Sequence, residues 1–135
     1  MQHFWSAFLQ KSPYKKRAKW ALIGWTLLIF IACFIPGNEI PNLKVPFIDK
    51  WVHFILFGVW SLLAMLAAPS MNHLRLILVA IAAALLGYGV EELQGCLSFL
   101  GRAKDIYDIY ADAFGGILGV LFFVLLAKIA KNKTP

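Results

Sequence analysis

The sequence predicts an all-α membrane protein: a bundle of four transmembrane helices with both chain termini on the cytoplasmic side. Three observations predict it. Of the 135 residues, 61% are hydrophobic and only 15% charged, against roughly 45–50% and 25% in a soluble domain. The apolar residues are gathered into four long blocks, and short clusters rich in Pro, Gly, Asn and charge separate them. The blocks use nearly the whole length, so one bundle accounts for the chain and no separate soluble domain fits beside it.

The elements follow in order. Residues 1–19 form a basic, interfacial tail, in which Phe4, Trp5, Phe8 and Leu9 can dip into headgroups ahead of Lys11, Lys15, Lys16, Arg17 and Lys19. The first span, residues 20–36 (WALIGWTLLIFIACFIP), ends at Pro36-Gly37, a helix stop. It exceeds a signal-peptide core, and IACFIPG is no small-x-small cleavage site, so an uncleaved span is expected. The second span, 51–68, ends before Pro69; the third, 74–97, has Asn72 placed as its N-cap; the fourth covers 107–127. The membrane domain as a whole spans 20–128, and a basic tail, 129–135, closes the chain. At ~1.5 Å per residue each block can cross a ~30 Å hydrocarbon core, some with interfacial help. The backbone there must be helical, because lipid offers unpaired peptide groups nothing.

Charge orients the bundle. Four spans put both termini on one side. Nine basic residues fall there (the five of the first tail, Arg75, Lys128, Lys131 and Lys133), while Lys44, Lys50, Arg102 and Lys104 fall on the other. The bias puts the termini inside, where anionic lipid attracts them. The net charge of +6 does not point to nucleic acid, since the basic residues flank spans and form no module. Cys33 and Cys96 make no disulfide framework; a bridge between outer helix ends is conceivable, but two inert apolar-face thiols are expected.

The acids are the anomaly. In DIYDIYADAFGG, Asp105, Asp108 and Asp112 run straight into an apolar segment, although a carboxylate near the bilayer interior costs about 2.5–3.5 kcal/mol. On this topology every acid lies toward the outer side: Glu39 and Asp49 in the first outer loop, Glu91 and Glu92 late in the third helix, the three aspartates at the fourth. Glu91 sits ~25 Å along its helix, short of the surface. Ala84, Gly87, Glu91 and Gln94 share one helix face, as do Asp108, Asp112, Gly115 and Gly119. Acids above small residues mark packing faces, so spans three and four are expected to meet through these stripes, with Gly87, Gly115 and Gly119 allowing close approach. Asp49, Lys50 and His53 in DKWVHF, and Arg102 and Lys104 in LSFLGRAKD, supply the counterparts. The expected result is an outward-opening polar chamber. Plainer roles stand beside this one: Asp105 and Asp108 as caps opposing a helix dipole, Lys50 as a snorkelling anchor, Glu91 ion-paired with Arg102 or His53.

At these residues the chain resembles the VanZ-like family of small bacterial membrane proteins, named for a member associated with teicoplanin resistance. DKWVHF (Asp49, Lys50, His53, Phe54), EELQ (Glu91, Gln94) and GRAKDIYDIYADAFGGILG (Arg102, Asp105, Asp108, Gly115, Gly119) carry the likeness, in order, from residue 49 to 119. The family pattern usually has asparagine where this chain has Asp112. The resemblance implies a multi-pass protein of the bacterial cytoplasmic membrane acting in the cell envelope, and supplies no reaction.

Three functions compete. In the first, Asp49, Lys50, His53, Glu91, Gln94, Arg102, Asp105, Asp108 and Asp112 bind a polar or anionic group of a lipid-linked or glycopeptide envelope ligand. Arg102 would grip a carboxylate or phosphate there, with Lys50 assisting. In the second, a membrane-embedded hydrolase or transferase uses His53, Glu91 and Asp108 as catalytic candidates, or holds a divalent ion between His53, Asp108 and Asp112. No hydrolase motif supports it, and the sequence assigns no metal and no cofactor. In the third, Glu91 titrates in a proton- or ion-coupled transporter, for which four short spans would need an oligomer whose state the sequence leaves open.

Overall fold

The computed structural model describes residues 13–39 and 45–132, so the aromatic stretch at residues 4–9, Lys11 and Lys44 lie outside the described residues. Among the described residues are four long helices, α1 (Pro13–Phe34), α2 (Ile48–Ala67), α3 (His73–Cys96) and α4 (Ile106–Asn132), with short 3-10 turns at Gly37–Glu39 and Ser98–Leu100. Each long helix is long and apolar enough to cross a membrane.

Local chemistry sets the helix ends. α1 begins ahead of its apolar block and runs back through Lys15, Lys16, Arg17 and Lys19, straight-chain residues that lose little freedom in a helix. Pro13 at its first position has no N–H to leave unpaired. It stops before Ile35-Pro36, since the residue preceding a proline is pushed out of the helical region. The Asn72 side chain caps α3, accepting from the Leu74 N–H at 2.9 Å. Asp105 does the same for α4, accepting from the Tyr107 N–H at 2.8 Å. Phe47, just before α2, has φ 56° and ψ 30°, a left-handed conformation uncommon for a bulky residue.

α2 is the centre of the bundle, with α4 along one side, α1 on another, and α3 closing against α4. The α2–α4 seam forms where side chains are missing. A Cβ on Gly115 would overlap the Phe54 carbonyl, and one on Gly119 would overlap the Gly58 carbonyl. This corrects the expectation that the Gly115/Gly119 stripe joins spans three and four. It faces α2 because α2 offers Gly58 at the same depth, and two bare backbones come closest. α3 meets the neighbouring face of α4, where a Cβ on Gly116 would lie 2.6 Å from that of Ala83.

Two apolar clusters fill the interior. Ile29, Cys33, Leu56, Phe57, Ala83 and Val90 join α1, α2 and α3. Ala64, Met65, Val79, Val120 and Phe123 lie nearer the chain termini. Indole groups stitch α1 to α2: Trp25 Nε1 donates to the Leu56 carbonyl at 2.8 Å, and Trp60 Nε1 to Thr26 Oγ1 at 3.0 Å. Both satisfy donors where no water is at hand. Outward, Leu85, Ile77 and Leu121 are more than half exposed, which suits acyl chains and not water. Cys33 is buried, Cys96 exposed, and both are free.

Candidate functional site

The ends of α1 and α3 and the starts of α2 and α4 come together at the end of the bundle away from the chain termini. There α2 and α4 face each other in two storeys, one helical turn apart. In the first, Lys50 Nζ lies 2.5 Å from Asp49 Oδ2, 2.5 Å from Asp105 Oδ2 and 3.0 Å from Asp108 Oδ1. In the second, His53 Nδ1 lies 3.0 Å from Asp112 Oδ1 and 3.9 Å from Glu91 Oε1 of α3. The spacing explains the storeys: Lys50 and His53 are three apart on α2, Asp108 and Asp112 four apart on α4, so each pair lies on one face. Glu91 Oε2 accepts the Asp105 backbone N–H at 2.8 Å, tying α3 to the start of α4. Gly87 makes room on α3, since a Cβ there would lie 2.5 Å from Asp112 Oδ2.

The lower storey is sealed. Its Glu91 and Asp112 are 0% exposed and its His53 6%, and Asp108 of the first storey is 7% exposed. The His53 ring stacks on Phe57, centroids 6.4 Å apart at 10°. An ionised group removed from water costs several kcal/mol unless paired, yet Glu91 Oε1, Asp108 Oδ1 and Asp112 Oδ2 are buried without a hydrogen bond, Asp108 Oδ1 having only its ion pair with Lys50. At the rim, the Lys50 ammonium and then the Tyr107 N–H hold the Asp105 carboxyl below its usual range.

Other residues expected at the site are drawn elsewhere. Gln94 Nε2 donates to the Cys33 carbonyl at 2.7 Å, and Arg102 Nη2 to the Ala32 carbonyl at 3.3 Å. Both carbonyls belong to the last turn of α1, where no intrahelical N–H remains to bond them. Arg102 therefore helps close a helix end, while its Nε is buried without a hydrogen bond. Lys104 pairs with Glu92, which raises its ammonium above the usual range, and lies 5.4 Å over the Tyr88 ring.

Two open hollows lie beside the acids. A groove of about 720 Å³ runs along the α2–α4 seam, lined by Phe47, Trp51, Phe54, Tyr107 and Phe114 with Lys50 among them. A second hollow of about 550 Å³ continues it, lined in part by Gly58, Gly115 and Gly119. Sequence reasoning missed this groove, although Phe47, Trp51 and Phe54 repeat at helical spacing, as do Tyr107, Ala111 and Phe114. It also missed Ser61, four residues beyond Phe57 on the His53 face, whose hydroxyl is buried without a partner.

Two groups of side chains have the composition of metal ligands. His53, Glu91 and Asp108 each offer one ligand atom, all within 4.8 Å of one another, and Asp49, Asp105 and Asp108 do the same nearer the surface.

The paired Lys50–Asp108 and His53–Asp112 storeys rest on the DKWVHF and DIYDIYADAF segments, and a family model described as VanZ/LLP1 matches residues 3–127. The chain belongs to the VanZ/LLP1 family. With four helices of membrane-crossing length, this VanZ/LLP1 protein is a multi-pass protein of the bacterial inner membrane. No curated protein and no solved structure matches it.

Proposed function

We propose that this VanZ/LLP1 protein binds a polar envelope molecule carried on a lipid chain, at a site on the outer side of the inner membrane. The excess of basic residues beside the termini supports that orientation. One observation carries the rest: Lys50 lines the membrane-facing groove and is also the cation shared by Asp49, Asp105 and Asp108. A lipid lying in the groove has its chains against Phe54, Phe114 and the glycine seam, and its headgroup at Lys50. Lys50 is already shared by three carboxylates, and those acids favour a headgroup that brings hydroxyl or amino donors. Capture of a lipid-linked cell-wall intermediate, or of a glycopeptide, alters the envelope without catalysis, and teicoplanin susceptibility is the phenotype to follow.

The test is native mass spectrometry of the purified chain with its co-purifying lipids. The wild type should carry a lipid species that Asp108→Asn and Lys50→Met lose together, and identical lipid profiles in all three would overturn the proposal. A second reading, surface hydrolysis or transfer with His53 as base, is favoured by the Asp112 carboxylate that fixes the imidazole. Unchanged cellular function in His53→Asn would remove it.

A further inference from the structure

We propose that His53, Glu91 and Asp108 bind a divalent cation of the first transition row, Mn2+ or Zn2+, at the meeting of α2, α3 and α4. The proposal goes beyond lipid capture and stands without it, because the ion needs no lipid to bind.

Four observations converge. The three residues come from three different helices, and their ligand atoms lie within 4.8 Å of one another. Ligands around one such ion stand about 3–3.5 Å apart, given metal–ligand distances near 2.0–2.2 Å, so small side-chain rotations close the set. Glu91 Oε1 belongs to a fully buried residue, lacks a hydrogen bond, and faces the His53 ring at 3.9 Å. Among the described residues the carboxyl groups of Asp49, Glu91, Asp105, Asp108 and Asp112 outnumber Lys50 and His53, the cationic partners they contact. In a medium without water an uncompensated carboxylate is expensive, and a divalent ion supplies the missing charge at its centre.

The donor set selects the metal. One imidazole and two carboxylates suit Mn2+ or Zn2+ better than Mg2+ or Ca2+, which prefer all-oxygen shells. Glu91 and Asp112 both face His53 Nδ1, at 3.9 and 3.0 Å, so an ion bound through that nitrogen takes the place of the His53–Asp112 contact. Lys50 does not block the site: its ammonium can release Asp108 and keep Asp49 and Asp105, each at 2.5 Å.

The experiment uses the full-length protein in detergent, stripped with a chelator and titrated with Mn2+ by electron paramagnetic resonance and with Zn2+ by equilibrium dialysis. The wild type should bind one ion per chain. Isosteric Glu91→Gln and His53→Asn should weaken binding at least ~10-fold, whereas Glu92→Gln, whose side chain pairs with Lys104 outside the cluster, should leave it unchanged. The wild-type titration needs no variant to fold. No binding of either ion up to millimolar concentration overturns the proposal, and so does equal binding by Glu91→Gln. A loss confined to Asp49→Asn would move the ion to the outer acidic set and overturn the assignment. Lipid retention by the metal-free chain separates failure here from failure of the lipid reading.

Discussion

The seam between α2 and α4 is held by opposite devices at its two ends. At the polar end, Lys50 meets Asp108 and His53 meets Asp112, so long or charged side chains bridge the helices. Within the next two turns the helices meet through bare backbone, and Gly115 and Gly119 set α4 against the carbonyls of Phe54 and Gly58. The difference follows from the solvent. Lipid tails are as apolar as leucine, so apolar burial alone does not drive two helices together, and what remains is close packing or polar pairing. Packing needs bare backbone over a whole turn; pairing needs partners matched in register. This seam uses packing where no function demands charge, and pairing where the acids are gathered.

That contrast can be broken from the packing end first. Gly119→Val sets methyl groups into the Gly58 carbonyl and should cost about 3 kcal/mol, or abolish folded protein. Thermal denaturation in detergent measures it, and a midpoint equal to the wild type would show that the seam has slack. Gln94→Ala should cost about 1 kcal/mol in the same assay, because the α1 end loses a buried hydrogen bond to the Cys33 carbonyl without losing any charge. If it instead removed ligand or ion binding at unchanged stability, Gln94 would belong to the site and not to the helix end.

Asp105→Asn is the mildest. The carboxylate is partly exposed, and the amide oxygen still accepts from Tyr107, so about 0.5 kcal/mol is expected at pH 7. The pH dependence sharpens it. A carboxyl held below its usual range contributes stability that is complete above about pH 4 and is lost as pH falls through its lowered folded value. The acid limb of a stability–pH curve should therefore flatten in Asp105→Asn, and an unaltered limb would show that the Lys50–Asp105 pair contributes nothing.

The two devices were not equally legible in the sequence. The four helices were, because a membrane leaves the backbone no other spanning structure and the apolar blocks are long enough to see. The grouping of acids at one end followed from helical spacing and span order. Partner choice did not follow. Gly115-x-x-x-Gly119 announces a close approach but not to which neighbour, and the answer depended on Gly58, a single glycine within α2. Arg102 reads as a natural partner for acids, yet the unpaired carbonyl of Ala32 at the end of α1 lies within its reach. Such carbonyls have no letter of their own in a sequence. The openness of the site was illegible too, since spacing says that side chains converge and not how much space they fill.

Everything proposed for the site depends on residues far apart in the chain pairing where lipid and water are both excluded. A double-mutant cycle on His53 and Asp112 tests this most directly, using His53→Ala, Asp112→Ala and the double variant in reversible denaturation. The 3.0 Å contact predicts an interaction energy of at least ~1 kcal/mol, the second substitution costing little once the first is made. Additive effects, agreeing within ~0.5 kcal/mol, would contradict it.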